Sequence, residues 1–556
     1  MTLKERIRAR VFNLLGLVQQ NRETDEDRLM FINDSEQVKR MKLKEYNVWY
    51  DGDGDEILNF YTKSNVLDFN YEPFYMRNKK NYFWAISSQE AQIKRTHSGQ
   101  PRNIVDTLVN IMPFPMVRAG GDDDENVVNQ SLQAILKEAA VPKMYKEEQL
   151  PLTLVEGWGC WKINIDRDVS DYPIVLYYRA ENVDFIYRSG RIVGAIFRSH
   201  YTTDKKKYVL VETRYVAWND ETHRRDLVIE NELYRVEGGQ TIVPVEFADV
   251  PELVGTEAKT VLEGYGKLLA VPCVLLGNTS SAAAGVYGRS IFTGKIDLFD
   301  DLDQALSQAS NAVRLSTPIE YLNSEYLERD RNGMPKKPAS YDRKYVMMEG
   351  QKNADGISVG QPVQITQPNV DFTRYDNHAV QILLQILNGV LSPATLGIDI
   401  AKKDNAAAQR EKEKVTIFTR NMLIEGEMAV LKELCVQLLC AKELMDKDSI
   451  SVFDYEVSVK FNEFADDSFE NKLEVLGKAY DMEEISPEMY VDKLYGDTLS
   501  RAERDKELKF LKSSREDRTD AMSGAAGGGM NSMGMVNNKF GLNENEDALE
   551  EEDELY

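Results

Sequence analysis

"IFTGKIDLFDDLDQALSQASNAVRL", residues 291–315, places Phe292, Ile296, Phe299, Leu302, Leu306, Ala309 and Val313 at steps of three and four. That spacing follows the 3.6-residue period and predicts a helix with one apolar face. Asp297, Asp300, Asp301 and Asp303 crowd the same stretch and read as its solvated side. The start, "GRSIFTGKI", briefly suggests a phosphate loop. Five residues separate Gly288 from Gly294, however, and Ile296 stands where the magnesium-binding Ser or Thr should follow Lys295. The segment reads as a helix start.

Upstream, from about Gly157 to Val236, the period changes to two. The runs "CWKINID", "PIVLYY", "VDFIY", "RIVGAIFRSHY", "KYVLVETRYVAW" and "RDLVIENELYRV" are divided by turn clusters such as "RSG", "TTDKK" and "NDET". Consecutive short strands predict an antiparallel meander and an α+β fold class. Residues 1–150 read as mostly helical. Ile104, Leu108 and Ile111 share one face, and Asp122–Asp124 suit a helix start, where carboxylates complement the dipole.

Downstream, residues 316–371 read as a small β/turn insertion with turns at "RNGMPKKP" and "NADG". A second helix follows, with the stripe Ala379, Leu383, Ile386 and Val390, and it stops at Pro393. "SPATLGIDIAKKDN" is then a loop closed by Asp404 or Asn405 as cap. Residues 406–444 lack proline and predict a rod of about 58 Å at 1.5 Å per residue. Its stripe is Val415, Phe418 and Met422, then Leu431, Leu434 and Leu438, with a kink expected at Gly426. After the strand "YEVSVKFNEF" come short helices. Ser486 and Pro487 start one of them, and the pair Ser500 and Glu503 caps another. From about residue 516 a Gly/Met-rich linker and an acidic tail are expected to be disordered.

The chain has 556 residues and a formal net charge of −24, which excludes an ordinary DNA clamp, since such proteins gain affinity through Lys and Arg. Cys160, Cys273, Cys435 and Cys440 lack CxxC spacing and fit reduced thiols. The basic N-terminus, with Leu3, Ile7, Val11 and Leu14 at helical spacing, reads as an amphipathic surface helix and not as a signal peptide. No window approaches the ~18 apolar residues of a membrane span, so a soluble protein is expected. "VWYDGDGDEILNFY", residues 48–61, alternates Asp51, Asp53 and Asp55 as a calcium loop does. Glu56 and Thr62 occupy the positions that need Gly and a bidentate Glu, so a turn is expected. His97, His200, His223 and His378 are isolated, and no nucleophile elbow appears. No metal, cofactor or catalytic residue is assigned. A carboxylate-only, metal-dependent nuclease built on the Asp clusters remains the alternative, and an unrelated scaffold the third reading.

The order of segments carries more than any motif. "WYDGDGDEILNFY", "RNIVDTLVN", "VPCVLLGN" leading into "YGRSIFTGKIDLFDDLDQALS", and "LQILNGVLSPATLGIDIAKKDNAAAQREKEK" together resemble the portal proteins (head–tail connectors) of tailed bacteriophages, over residues 40–515. The resemblance implies a ring of subunits, commonly twelve, around a DNA channel. It implies a wing (1–288, with the long helix and strand at 406–462), stem helices (289–315 and 372–392), a small α/β clip (316–371), a tunnel loop (393–405) and a helical crown (463–515). It also implies a virion protein assembled in the bacterial cytoplasm. Its partners would be major capsid and scaffolding proteins, the terminase large subunit, a tail adaptor, and double-stranded DNA passing without sequence-specific binding; no membrane is involved. On that reading Phe292, Ile296, Phe299, Leu302 and Leu306 pack subunits together. Arg329, Arg331, Lys336 and Lys337 meet the clip's partners, and Thr395, Leu396, Ile398, Lys402 and Lys403 face DNA. The basic N-terminal helix and the acidic tail depart from the family pattern.

Overall fold

The computed structural model describes residues 36–62, 81–86, 93–120, 126–237, 241–277, 287–316, 319–324, 327–336, 344–348, 351–352, 358–359, 363–366, 371–398, 413–447, 455–462, 473, 476–480, 485–495 and 504–513. The N-terminal amphipathic helix, Asp122–Asp124, the Ser500–Glu503 pair, the linker and the acidic tail lie outside the described residues. The chain divides into two compact units, Met1–Asn462 and Glu463–Tyr556.

The first unit opens with α1 (Glu36–Asp51) and α2 (Gly54–Thr62). Gly52, at φ +71°, breaks the chain between them. Asp53 then accepts from the backbone N–H groups of Asp55 (2.8 Å) and Glu56 (3.4 Å), which caps α2. The alternating aspartates thus form a helix–turn–helix corner. Its core side is aromatic. Trp49 donates to the Tyr61 hydroxyl at 2.9 Å, and Tyr61 donates to Glu45 at 2.6 Å, all buried. Next come α3 (Gln100–Asn110), β1 (Met116–Ala119), α4 (Val127–Glu138) and α5 (Leu150–Glu156). A π-turn at Tyr145–Gln149 runs directly into α5.

The strands follow as the alternating pattern predicts. β2 (Gly159–Asn164) pairs with β3 (Ile174–Arg179). Then β4 (Val183–Arg188), β5 (Arg191–Thr203), β6 (Lys206–Asn219), β7 (Arg224–Glu237) and β8 (Thr241–Pro244) form a meander in chain order. Two of its turns hold paired positive φ angles, Ser189–Gly190 and Asp204–Lys205; such turns match the twist of the flanking strands. β9 (Lys259–Leu262) also pairs with β7, and β10 (Ala270–Cys273) pairs with β2. The two sheets are joined by a buried charge cluster. Glu212 accepts from Lys162 (2.8 Å) and Arg214 (2.6 Å), while Arg214 also donates to the carbonyls of Ile163 and Leu269.

The helical part begins with α6 (Ile296–Leu315). The insertion holds β11 (Ile319–Asn323), β12 (Lys344–Met348), β13 (Gln351–Lys352), β14 (Ser358–Val359) and β15 (Val363–Thr366). β11 is central, parallel to β12 and antiparallel to β15. α7 (Phe372–Leu387) returns beside α6. A short turn at Pro393–Leu396 precedes α8 (Lys414–Lys447), and β16 (Val457–Lys460) pairs with β1. α8 is unbroken at Gly426. There an added Cβ would lie 3.3 Å from the Leu275 side chain, so glycine permits a close approach to the segment that follows β10. The C-terminal part of α8 is buried at Leu431, Leu434 and Leu438. At its N-terminal end Val415, Phe418 and Met422, expected to be core, are exposed.

In the second unit, Ser486 accepts from Met489 N–H and caps α9 (Pro487–Tyr495), as the sequence reads. Tyr490, Val491 and Leu494 form a small core with Leu508 and Leu511.

Candidate functional site

The candidate site is the α6/α7 pair with the sheet between its ends and the Pro393 turn behind it. α6 is amphipathic for the reason its sequence shows, but its apolar face belongs to the chain's own core. Phe292 and Phe299 are fully buried, Ile296 and Leu302 nearly so, and Leu306 is half-buried. Phe299 packs at 5.8 Å from Trp49 and 5.4 Å from Phe292, centroid to centroid. Phe292, Ile296, Phe299 and Leu302, expected to pack subunits together, are instead core residues of the single chain. In the single chain they are covered almost completely.

The aspartates also depart from expectation. Asp300 and Asp303 are buried acceptors for the segments 81–86 and 93–98. Asp300 receives the backbone N–H groups of Phe83 (2.8 Å) and Trp84 (3.2 Å). Asp303 receives the Trp84 indole (3.0 Å), the Ser98 N–H (2.8 Å) and His97 Nδ1 (2.7 Å). Ser307, one turn further, accepts from Thr96 N–H at 2.9 Å. Burial pushes the Asp300 carboxyl up to about 6; the two backbone N–H groups oppose this, and Asp301 and Asp303 add to it. The signal was available in register: 296, 300, 303 and 307 recur at helical spacing, so the polar Asp300, Asp303 and Ser307 share the buried face of Ile296. Their partners lie about two hundred positions away, and no local pattern reveals them. Asp297 and Asp301 are exposed, although Asp297 accepts from the Tyr82 hydroxyl.

In the insertion, register and the two-residue period put Leu322, Met347, Val363, Tyr345 and Ile365 on one face with Glu320. Met347, Val363 and Ile365 are exposed, Ile365 at 64%. Beside this sheet the 327–336 hairpin is held by Asp330, which accepts from Asn332 and Met334 N–H (both 2.9 Å). Arg329, Arg331 and Lys336 are exposed there. Lys337 lies outside the described residues.

The Pro393 turn is pinned, not free. Ser392 N–H donates to Thr416 Oγ1 at 2.8 Å, and the Thr395 hydroxyl lies 2.7 Å from the same oxygen. Leu396 packs on the core. Thr395 and Leu396 are thus anchored to α8 and its surroundings, and both remain half-buried. Ile398 is exposed at 37%. Lys402, Lys403 and the candidate caps Asp404 and Asn405 lie outside the described residues.

Between α6 and α7 runs a groove of about 420 Å³, with Asp301, Gln304 and Gln308 facing His378, Gln381 and Gln385. Among the described residues, no group of three His, Cys, Asp or Glu side chains is placed to hold a metal ion. No described helix is long and apolar enough to cross a membrane. No family model matches the chain, and no curated protein matches it.

Proposed function

We propose that this chain is a portal-type subunit of a tailed bacteriophage, assembling into a ring, commonly of twelve copies, at the capsid vertex. The ring passes double-stranded DNA during packaging and ejection. It docks the terminase large subunit and later a tail adaptor, within a shell of capsid and scaffolding proteins.

The observation that carries this reading is the insertion at the far end of α6 and α7. A three-stranded sheet presents Met347, Val363 and Ile365 to solvent in the single chain, and β12 and β15 are its edges. A sheet this small needs a covered apolar face to be stable, and contiguous exposed apolar surface marks interaction sites. A closed ring supplies that cover by repeating one head-to-tail contact. The exposed α8 residues Val415, Phe418 and Met422 give a second such surface. The net charge of −24 suits a conduit whose walls repel a polyanion. Arg329, Arg331 and Lys336 are then the cations for the motor and adaptor.

Ile365→Lys tests the reading. Ile365 is exposed, so the subunit should keep its stability within about 0.5 kcal/mol. Light scattering should show the wild type as a large uniform oligomer and the variant as smaller species. A variant oligomer identical to wild type would remove this face from the assembly.

A further inference from the structure

Two packed helices ordinarily share an apolar seam. Along α6 and α7 the seam is floored by Leu298, Ala305 and Ile382 but walled by amides. Gln304 and Gln308 stand one turn apart on α6, and Gln381 and Gln385 one turn apart on α7. Exposed Asp301 lies among them, with exposed Asp297 one turn earlier. The small Ala305 leaves room, and the opening of about 420 Å³ falls within the range of small-ligand sites. No lysine or arginine lines it.

We propose that this groove binds a linear aliphatic polyamine of the diamine or triamine class. One ammonium pairs with Asp301, the others meet glutamine carbonyl oxygens, and the methylene segments lie on the Leu298–Ala305–Ile382 floor. Each wall amide carries a carbonyl acceptor, and amide orientation adjusts to the ligand. The groove extends ten residue steps along α6, from Leu298 to Gln308, about 15 Å at 1.5 Å per residue. That length accommodates an extended chain better than a compact ion. A polyanion would meet the Asp301 carboxylate, and the titratable nitrogen in the lining, on His378, faces that same carboxylate. A hydrated divalent ion would gain nothing from the apolar floor. The proposal does not depend on the ring reading.

Calorimetric titration of the full chain with spermidine, at fixed ionic strength, tests it. The expected result is one saturable site per chain. Butylamine, which carries the single ammonium that a lysine side chain from another protein would offer, should bind at least tenfold more weakly. Asp301→Asn should weaken spermidine at least tenfold, and Gln381→Glu should strengthen it. Magnesium at equal charge should leave the site in place. No saturable heat, equal affinity for spermidine and butylamine, equal affinity in wild type and Asp301→Asn, or full displacement by magnesium would each overturn the proposal. Should Asp301→Asn fail to fold, the absence of any gain in Gln381→Glu overturns it instead.

Discussion

Three buried carboxylates behave differently because their neighbours differ. Glu212 is buried between two cations: burial alone would raise its pKa, but Arg214 and Lys162 outweigh it and hold the carboxyl at about 2. Its folded value lies below the unfolded one, so its contribution is present above the ordinary carboxylate range and lost as pH falls toward 2. Glu212→Ala leaves Lys162 and Arg214 buried without their anion and should cost about 3–5 kcal/mol in urea unfolding at pH 7. Glu427 is the opposite case. It is fully buried on α8, one oxygen accepting from Gln149 at 2.7 Å and the other without a partner among the described residues. Burial pushes it up to about 7, with the Gln149 bond opposing. Tyr145, Tyr177 and Cys273 are the titratable groups that sense it, and none supplies a cation. A raised carboxyl means stability falls as pH rises from the ordinary carboxylate range to about 7. Glu427→Gln should flatten that fall, so the variant gains on wild type between pH 5 and pH 8 in parallel urea melts. An unchanged slope would mean that Glu427 is not the group responsible. Asp300, bonded to two backbone N–H groups, sits between these cases.

At the scale of elements, the sequence showed which segments are helix and strand better than what each one touches. The meander, its turns, the Ser486 cap and the helix at 296–315 follow from local period and turn chemistry, which act within a few residues. The burial of α6 against Trp49, Trp84 and His97 depends on contacts about two hundred residues apart, which periodicity cannot report. An apolar stripe says that a face is covered; it does not say by which chain. Phe292, Ile296, Phe299 and Leu302 illustrate this on one side, and Phe418, on α8 at 61% exposure, on the other. The consequence is a specific expectation for Leu302→Asp. An unpaired charge would enter a site only 3% exposed, costing ~4–5 kcal/mol. The subunit should therefore be unstable, with a reduced denaturation midpoint by circular dichroism. A variant folded like wild type but unable to assemble would restore Leu302 to the subunit interface.

For the whole molecule, the ring reading rests on surfaces a single chain leaves uncovered, on a net charge of −24, and on the order of segments that resembles portal proteins. None of the described residues assembles a metal-binding carboxylate cluster, and Asp300 and Asp303 are already occupied by N–H donors. The most direct measurement is negative-stain electron microscopy of the purified full-length chain. The ring reading predicts uniform annular particles with a central opening and one rotational symmetry in their end-on averages. Monodisperse particles the size of one subunit, with no annular class at any concentration tested, would contradict it.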